Sequence, residues 1–529
     1  MNREWLLLLL FFLCMHAFSQ EDAWVYFVDK ENVETSIANP ITILTQKAIH
    51  RKSRHGVTID SRDVPVNENY IALLKNANGV TVKAKSKWFN AVHIRGTKSD
   101  IDNLVSNPSF LFIDYIDFAD KSLNTKGIET KTKSNKQSKL EGVFTTFNYG
   151  NSANQIEMFK GDELHLADYT GAGMTVAVLD AGFPNANTMT SFQRLRDAGN
   201  LLGSYDFVNR DVDVYTGTTS NHGTLVLSDM AGYVENQFVG TAPDASYYLF
   251  ITEDAPNENP VEESYWVEAA ERADSLGVDV INTSLGYKDY SPTYTSYSYS
   301  DSDLDGYTAY ITKGANIAFE KGLLLITSAG NSGNGGVGAP ADSPNVLSIG
   351  AVNASGNYAS FSSVGSAFQP TQKPDVVAQG QASYVITEND VIATANGTSF
   401  SSPILAGGIV CLWQALPNKT NAEIMRLVRE SASQYATPDY FLGYGIPNLE
   451  LALNTALSIE SKTTKNIEIY PNPVNDKLYV KLPSGNDVAT LKIYDVLGKE
   501  ISNSTMANGN NMVETGSLTI GMYIVKVDS

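Results

Sequence analysis

Short, nearly continuous apolar runs recur through the middle of this 529-residue chain, at 175–179, 247–251, 278–281, 323–327 and 346–351. Helical patterns such as 262–276 and 307–321 lie between several of them. A strand that is apolar on both faces must be covered on both sides, and strands joined through helices run parallel. The core of the chain is therefore α/β, built on a mostly parallel central sheet. Sheets of that kind place functional groups at the carboxyl ends of their strands, and Asp180 and Asn331 come at or just after such ends.

The regions on either side have a different character. Residues 20–120 hold strand-like runs at 24–28, 70–74, 91–94 and 111–116 around helical stretches such as 98–105, the pattern of a small α+β domain. Residues 121–143 follow as a Lys-rich linker, poor in large apolar residues and a natural place for a protease to cut. The central domain spans 144–457, a second linker 458–465, and a small all-β sandwich of short strands at 477–482, 489–494 and 522–527 occupies 466–529. Such a division into domains suits the length.

Residues 1–19 read as a secretory signal, with Arg3, an apolar core over 5–15 and cleavage after Ala17-Phe18-Ser19. That core is too short to span a bilayer, and no other stretch is long enough, so no transmembrane segment is expected. Once the signal is removed one cysteine remains, Cys411 in the apolar row 409–413. An exported chain with one cysteine has no intrachain disulfide and relies on packing or bound ions.

The net charge of −20 is unevenly spread. Residues 20–139 carry 18 Lys and Arg against 14 Asp and Glu, or +4, whereas 140–529 carry 19 against 43, or −24. A mildly basic segment ahead of an acidic body is compatible with the first docking on the second. An acidic body argues against nucleic acid as a partner, because phosphate binding draws on clustered Lys and Arg.

One stretch, Asn396-Gly397-Thr398-Ser399-Phe400-Ser401-Ser402-Pro403, sits between the apolar run 391–393 and a helical pattern reaching about Leu416. A serine where a loop enters a helix has its hydroxyl beside unpaired N–H groups and the positive end of the helix dipole, although Ser and Thr are also ordinary helix caps. To act as a nucleophile it needs a base, usually a histidine oriented by a carboxylate. Beyond the first linker only His165 and His222 are available, and either could be an ordinary half-buried histidine. His222 stands in Asn221-His222-Gly223-Thr224 at an apparent helix start. Asp180 ends an apolar strand, where a carboxylate is costly unless paired, although an aspartate opening a turn is the plainer alternative. Ser328-Ala329-Gly330-Asn331 ends another strand in a tight turn from which the Asn331 amide could serve an oxyanion.

Taken together, these pieces resemble the subtilases, the subtilisin-like serine peptidases. The order Asp180, His222, Ser399 is the subtilisin order, unlike that of the chymotrypsin or α/β-hydrolase triads. Val178-Leu179-Asp180-Ala181-Gly182, Asn221-His222-Gly223-Thr224 and Gly397-Thr398-Ser399 resemble the family's three catalytic motifs, and Ser328-Ala329-Gly330-Asn331 its oxyanion turn. Gly240-Thr241-Ala242-Pro243, Asn282-Thr283-Ser284-Leu285-Gly286 and Lys373-Pro374-Asp375-Val376-Val377-Ala378 are further matches.

The resemblance implies a subtilisin-like three-layer domain and an endopeptidase acting on protein or peptide substrates through an acyl-enzyme on Ser399. It assigns His222 as base, Asp180 as orienting acid, and Asn331 with the Ser399 N–H as oxyanion donors. Ser284, Leu285 and Gly286 would flank the substrate backbone, and Ser328, Ala329 and Gly330 would line the pocket for the residue before the scissile bond. That Gly- and Ser-rich turn offers no fixed charge.

Residues 20–120 resemble a subtilase propeptide, most plainly at Lys87-Trp88-Phe89-Asn90-Ala91-Val92, which implies a zymogen held by its own intramolecular inhibitor. Tyr470-Pro471-Asn472-Pro473, Ile493-Tyr494-Asp495 and Gly521-Met522-Tyr523-Ile524-Val525 are similar to the sorting domain of type IX secretion substrates. This implies export through the periplasm of a Gram-negative bacterium, by way of its secretion machinery, to the medium or the cell surface.

No cofactor is expected for catalysis, and the family allows a structural calcium ion. Asp301, Asp303 and Asp305 form a weak calcium-loop candidate, since Thr312 stands where an EF-hand places its glutamate, and a cap for a helix near Tyr307 is the competing reading. Two rival functions are a surface-displayed adhesion protein on an inactive peptidase scaffold and an α/β-hydrolase esterase. No triad member is missing, which speaks against the first; Gly397 and Ser401 miss the Gly-x-Ser-x-Gly elbow of the second.

Overall fold

The computed structural model of the chain describes residues 20–123, 147–218, 220–290, 292, 294–462, 468–481, 488–495, 499–507, 510–519 and 521–528. The expected signal and nearly all of the Lys-rich linker lie outside the described residues. Two compact units are formed, one through Leu453 and one from Asn454.

The first unit opens with an antiparallel four-stranded sheet of β1 (Gln20–Phe27), β2 (Val80–Ser86), β3 (Ala91–Thr97) and β4 (Ile113–Phe118), in the order β2-β3-β1-β4. Helices α1 (Gln46–Arg54), α2 (Glu68–Lys75) and α3 (Lys98–Ser106) accompany it. Helix α2 corrects the strand expected at 70–74. The Asn67 side chain accepts from the Asn69 N–H at 2.9 Å and caps a helix whose buried residues, Ile71 and Leu74, are three apart. An apolar run that short fits either element, and the cap decides it.

Behind it stands a seven-stranded, wholly parallel sheet: β5 (Thr175–Asp180), β6 (Leu201–Asp206), β7 (Ser246–Ile251), β8 (Val280–Thr283), β9 (Leu324–Ser328), β10 (Leu347–Val352) and β11 (Val376–Gln379). Their order is β11-β10-β9-β8-β5-β7-β6. Five match the apolar runs, and the two additional strands, β6 and β11, form the edges. The chain reverses its direction of travel between β5 and β8, so their carboxyl ends flank the switch point of the sheet.

Helices α4 (His222–Ala231), α5 (Val261–Leu276), α6 (Tyr310–Glu320), α7 (Thr398–Ala415), α8 (Asn421–Glu430) and α9 (Leu449–Lys462) complete the larger elements. Ala177, Leu179, Ile281 and Leu325 point to one face and share a core with Val267 and Ala270 of α5 and Ile311 and Ala315 of α6. Helix α7 packs along β8 to β11 and against α4. All of its residues except Gln414 are buried, which explains a helix that is apolar all round. No helix among the described residues is long and apolar enough to cross a membrane.

The four-stranded domain sits on α5 and α6. Trp24 stacks on Tyr310 with ring centroids 4.3 Å apart, and the Glu271 carboxylate accepts from the Lys87 and Trp88 N–H groups, each at 2.9 Å. Beside them lies a fully buried ion network in which Asp274 meets Arg51 at 2.5 Å and Lys52 at 2.8 Å. Asp63 joins Lys52 at 3.1 Å to Lys321 at 2.7 Å. The +4 segment thus docks on the acidic body through specific pairs.

Two expected boundaries move. Helix α9 continues to Lys462, through much of the interval read as the 458–465 linker, with Leu449, Ala452 and Ala456 buried at helical spacing. Helix α6 starts at Tyr310 and not near Tyr307, because Asp305 Oδ1 accepts from the Tyr307 and Thr308 N–H groups in a turn that precedes the helix.

The second unit contains two three-stranded sheets. Leu478 and Val480 of one share a core with Ala489, Leu491 and Ile493 of the other, which makes it a sandwich.

Candidate active site

Asp180 closes β5 and is fully buried. Its Oδ1 accepts from the Ala181 N–H at 2.7 Å and from His222 Nδ1 at 2.8 Å. A carboxylate only accepts, so Nδ1 carries the ring proton and Nε2 is left with a lone pair. Gly223 lets α4 begin against this loop: a Cβ there would stand 2.6 Å from the Gly182 carbonyl oxygen and 3.0 Å from Asp180 Cβ. Burial disfavours the imidazolium, but the charge and hydrogen bond of Asp180, with Glu253 beyond, outweigh it and hold the His222 pKa above its ordinary value.

Ser399 lies in the first turn of α7, behind Gly397 at φ 154°. Its hydroxyl donates to the Ser284 carbonyl at 3.2 Å, and no hydrogen bond joins it to His222 among the described residues. Ser284 answers with its own hydroxyl, which donates to the Ser399 carbonyl at 2.9 Å. Asn282 Nδ2 donates to Ser284 Oγ at 3.2 Å, and Asn282 Oδ1 accepts from Ser402 Oγ at 3.0 Å. The Asn282 to Gly286 segment is therefore tied to the serine's turn. The His222 ring lies 5.9 Å from that of Phe400, the next residue.

Asn331 follows β9. Its Oδ1 accepts from the Thr398 N–H at 2.9 Å and the Thr398 hydroxyl at 3.0 Å, which fixes the orientation of the amide. One point beside Gly397, where a Cβ would stand, is 3.5 Å from Asn331 Nδ2 and 3.6 Å from the Ser399 nitrogen, so both donors border the same space.

Ser399 also borders a cavity of about 180 Å³. Ser284, Leu285 and Gly286 line it from one segment; Ser328, Ala329 and Gly330 line it from the turn before Asn331. Lys288 belongs to this lining too. The turn itself is uncharged, as read from the sequence, and the fixed charge comes from a different segment, at a lysine two residues beyond Gly286.

The remaining sequence candidates fall elsewhere. His165 is buried away from the serine, between the Tyr149 hydroxyl at 2.9 Å and the Thr241 carbonyl at 3.1 Å, and burial pushes its pKa down to about 4. Thr241 belongs to the Gly-Thr-Ala-Pro motif, which is structural here. So is Lys373-Pro374-Asp375, where buried Lys373 pairs with Asp375 at 2.8 Å.

Asp301, Asp303 and Asp305 are each engaged by a different partner. Asp301 pairs with Lys288 at 2.6 Å, Asp303 with Lys121 at 3.0 Å, and Asp305 is occupied by the turn before α6. Among the described residues one other carboxylate group converges, Glu253, Glu258 and Glu262, with ligand atoms within 4.8 Å of one another. Burial pushes Glu253 up to about 8 and Glu262 to about 10.

The chain matches the Subtilase family over residues 171–445, the Peptidase S8 propeptide domain of Bacteroidota over 22–139 and a secretion system C-terminal sorting domain over 468–529. It is 30% identical over 344 residues to subtilisin NAT of Bacillus subtilis subsp. natto, a match covering 64% of this chain and 81% of that one. It is also 30% identical over 302 residues to subtilisin of Bacillus pumilus, covering 56% and 97%. Among solved structures, MycP1 from Mycobacterium smegmatis aligns at 22% identity with a TM-score of 0.43, covering 60% of this chain and 89% of that one.

Proposed function

The chain belongs to the subtilase family of serine peptidases, and from that premise we propose that Ser399 is the acylated nucleophile, His222 its base and Asp180 the acid that orients the imidazole. The observation that carries this assignment is the 2.8 Å Asp180 to His222 hydrogen bond at the switch point of the sheet. It leaves Nε2 of His222 as the proton acceptor.

The Ser399 hydroxyl exchanges the Ser284 carbonyl for His222 Nε2 by a side-chain rotation, which is fast compared with turnover. It then attacks the peptide carbonyl while Nε2 takes its proton. The same proton passes to the departing amine, and a water activated by His222 hydrolyses the acyl-enzyme. Asn331 Nδ2 and the Ser399 N–H receive the oxyanion. Ser284, Leu285 and Gly286 pair with the substrate backbone as an added strand, and Ser328, Ala329 and Gly330 receive the side chain before the scissile bond. All of these groups come from the chain, so the chemistry needs no cofactor.

The propeptide and sorting domains make the protein a secreted or cell-surface peptidase made as a zymogen. In the proposed history the N-terminal domain inhibits the enzyme until the chain is cut within 121–143, and the sorting domain directs passage across the periplasm and outer membrane of a Gram-negative cell. The docking of the first domain on α5 and α6 supports the inhibitory role.

Labelling with a fluorophosphonate tests the assignment, since the reagent needs an activated serine. An adduct at Ser399 is expected in the processed protein and not in His222→Ala. Its absence from the processed wild type would sink the nucleophile reading. For self-processing, an identical N-terminus after Gln20 in wild type and Ser399→Ala would be the contrary result.

A further inference from the structure

The cavity beside Ser399 holds a positive charge. Lys288 Nζ stands in its wall, 3.6 Å from where a Cβ on Gly336 would lie. It donates to Asp301 Oδ1 at 2.6 Å and to the Gly335 carbonyl. The lysine side chain is only 21% exposed, whereas that of Asp301 is 67% exposed. An ion pair whose acid stands mostly in water contributes little and exchanges readily. A carboxylate delivered into the cavity would meet the same ammonium with water excluded, where the attraction is stronger. Ser328, Ser332 and Ser363 add hydroxyls to the lining, and no aspartate or glutamate belongs to it.

We propose that this cavity selects peptides with glutamate or aspartate immediately before the scissile bond, with Lys288 as the specificity-determining residue and Asp301 as the placeholder that a substrate carboxylate displaces. On binding, one ion pair replaces another and Asp301 turns to solvent, so charge is conserved. The proposal rests on the assignment of Ser399 as nucleophile and goes beyond it by naming the substrate class.

Matched peptides that differ only at that position, carrying Glu, Gln, Leu or Lys, provide the test on the processed enzyme. The kcat/KM for Glu is expected to exceed that for Gln by about 10–100-fold, the worth of a hydrogen bond to a charged group. Lys288→Met is expected to bring the Glu-to-Gln ratio to about one, Asp301→Asn to raise it, and Lys288→Glu to turn the preference toward Lys.

A purely structural role for Lys288 would lower all four peptides alike and leave the ratio intact, which would overturn the proposal. So would a wild type that cleaves Gln or Leu peptides as fast as Glu. Fluorophosphonate labelling separates the two levels: a labelled enzyme without acidic preference refutes this inference alone, whereas an unlabelled wild type refutes the nucleophile assignment beneath it.

Discussion

Pro403 stands four residues after Ser399 in the same helix, and the Ser399 carbonyl oxygen that it leaves without an intrahelical donor is taken by the Ser284 hydroxyl at 2.9 Å. Proline has no N–H to give to the residue one turn earlier. The helix is therefore completed from outside, by the segment proposed to hold substrate.

Replacing that hydroxyl exposes the dependence. Ser284→Ala leaves a buried carbonyl unsatisfied and removes the acceptor of Asn282 Nδ2. A loss of about 1–3 kcal/mol of stability is expected, measured by denaturant unfolding in a Ser399→Ala background to prevent self-digestion.

The Asn331 amide is pinned through its oxygen by Thr398, and its nitrogen borders the space beside Gly397 where the oxyanion is proposed to sit. Asn331→Ala is expected to lower kcat by about 10²–10³-fold while a trace of turnover persists. Ser399→Ala should lose nearly all of it. Steady-state kinetics on one peptide substrate distinguishes the two.

Asp180 holds the His222 pKa above its ordinary value. The base works only when neutral, so activity rises as pH increases through that pKa, and the acid limb of kcat/KM is expected above the ordinary imidazole value of about 6.5. In Asp180→Asn the chief raising charge is gone, Glu253 contributes less, and burial, which lowers the pKa and is the largest influence, remains. The limb should then move to lower pH, with kcat reduced by about 10⁴-fold. A pH profile of both enzymes checks the direction.

Asp274 of α5 neutralises Arg51 and Lys52 of the N-terminal domain inside a dry interface. Burial opposes its charge, but Lys52 and Arg51 prevail and bring its pKa down to about 2. Removing one partner of such a network costs about 3–5 kcal/mol. In Asp274→Asn, inhibition by the separately added N-terminal domain should weaken by about 10²–10⁴-fold, read as an inhibition constant.

If Lys288 selects acidic residues, self-processing has few places to occur. Glu129 and Glu141 are the acidic residues within 121–143. The mature chain is expected to begin at Thr130 or Gly142, as determined by intact mass and N-terminal sequencing, and Lys288→Glu should move the cut to follow a lysine.

Asp180, His222, Ser399 and Asn331 were readable because each lies in a short contiguous segment at a strand end or helix start, where local sequence and backbone geometry agree. Strand β6 was not, since Leu201–Asp206 at the sheet edge mixes apolar and polar residues and lacks a continuous apolar run. The helix at Glu68–Lys75 turned on the Asn67 cap more than on its apolar content. Lys288 is a different case: a lysine just past a motif carries no sign of which way its side chain turns, and the nearby segments at Asp301 and Gly335 decide that only once the chain has folded.

Cys411 lies buried in α7, its sulfur 3.3 Å from the Thr241 carbonyl, and burial pushes its thiol well above the ordinary range. Cys14 falls within the expected signal, and beyond residue 19 this sequence holds no second cysteine to pair with Cys411. Thiol–disulfide exchange then has nothing to act on in the expected mature chain: reductants have no intrachain cross-link to cut, and the one sulfhydryl is kept protonated and out of reach.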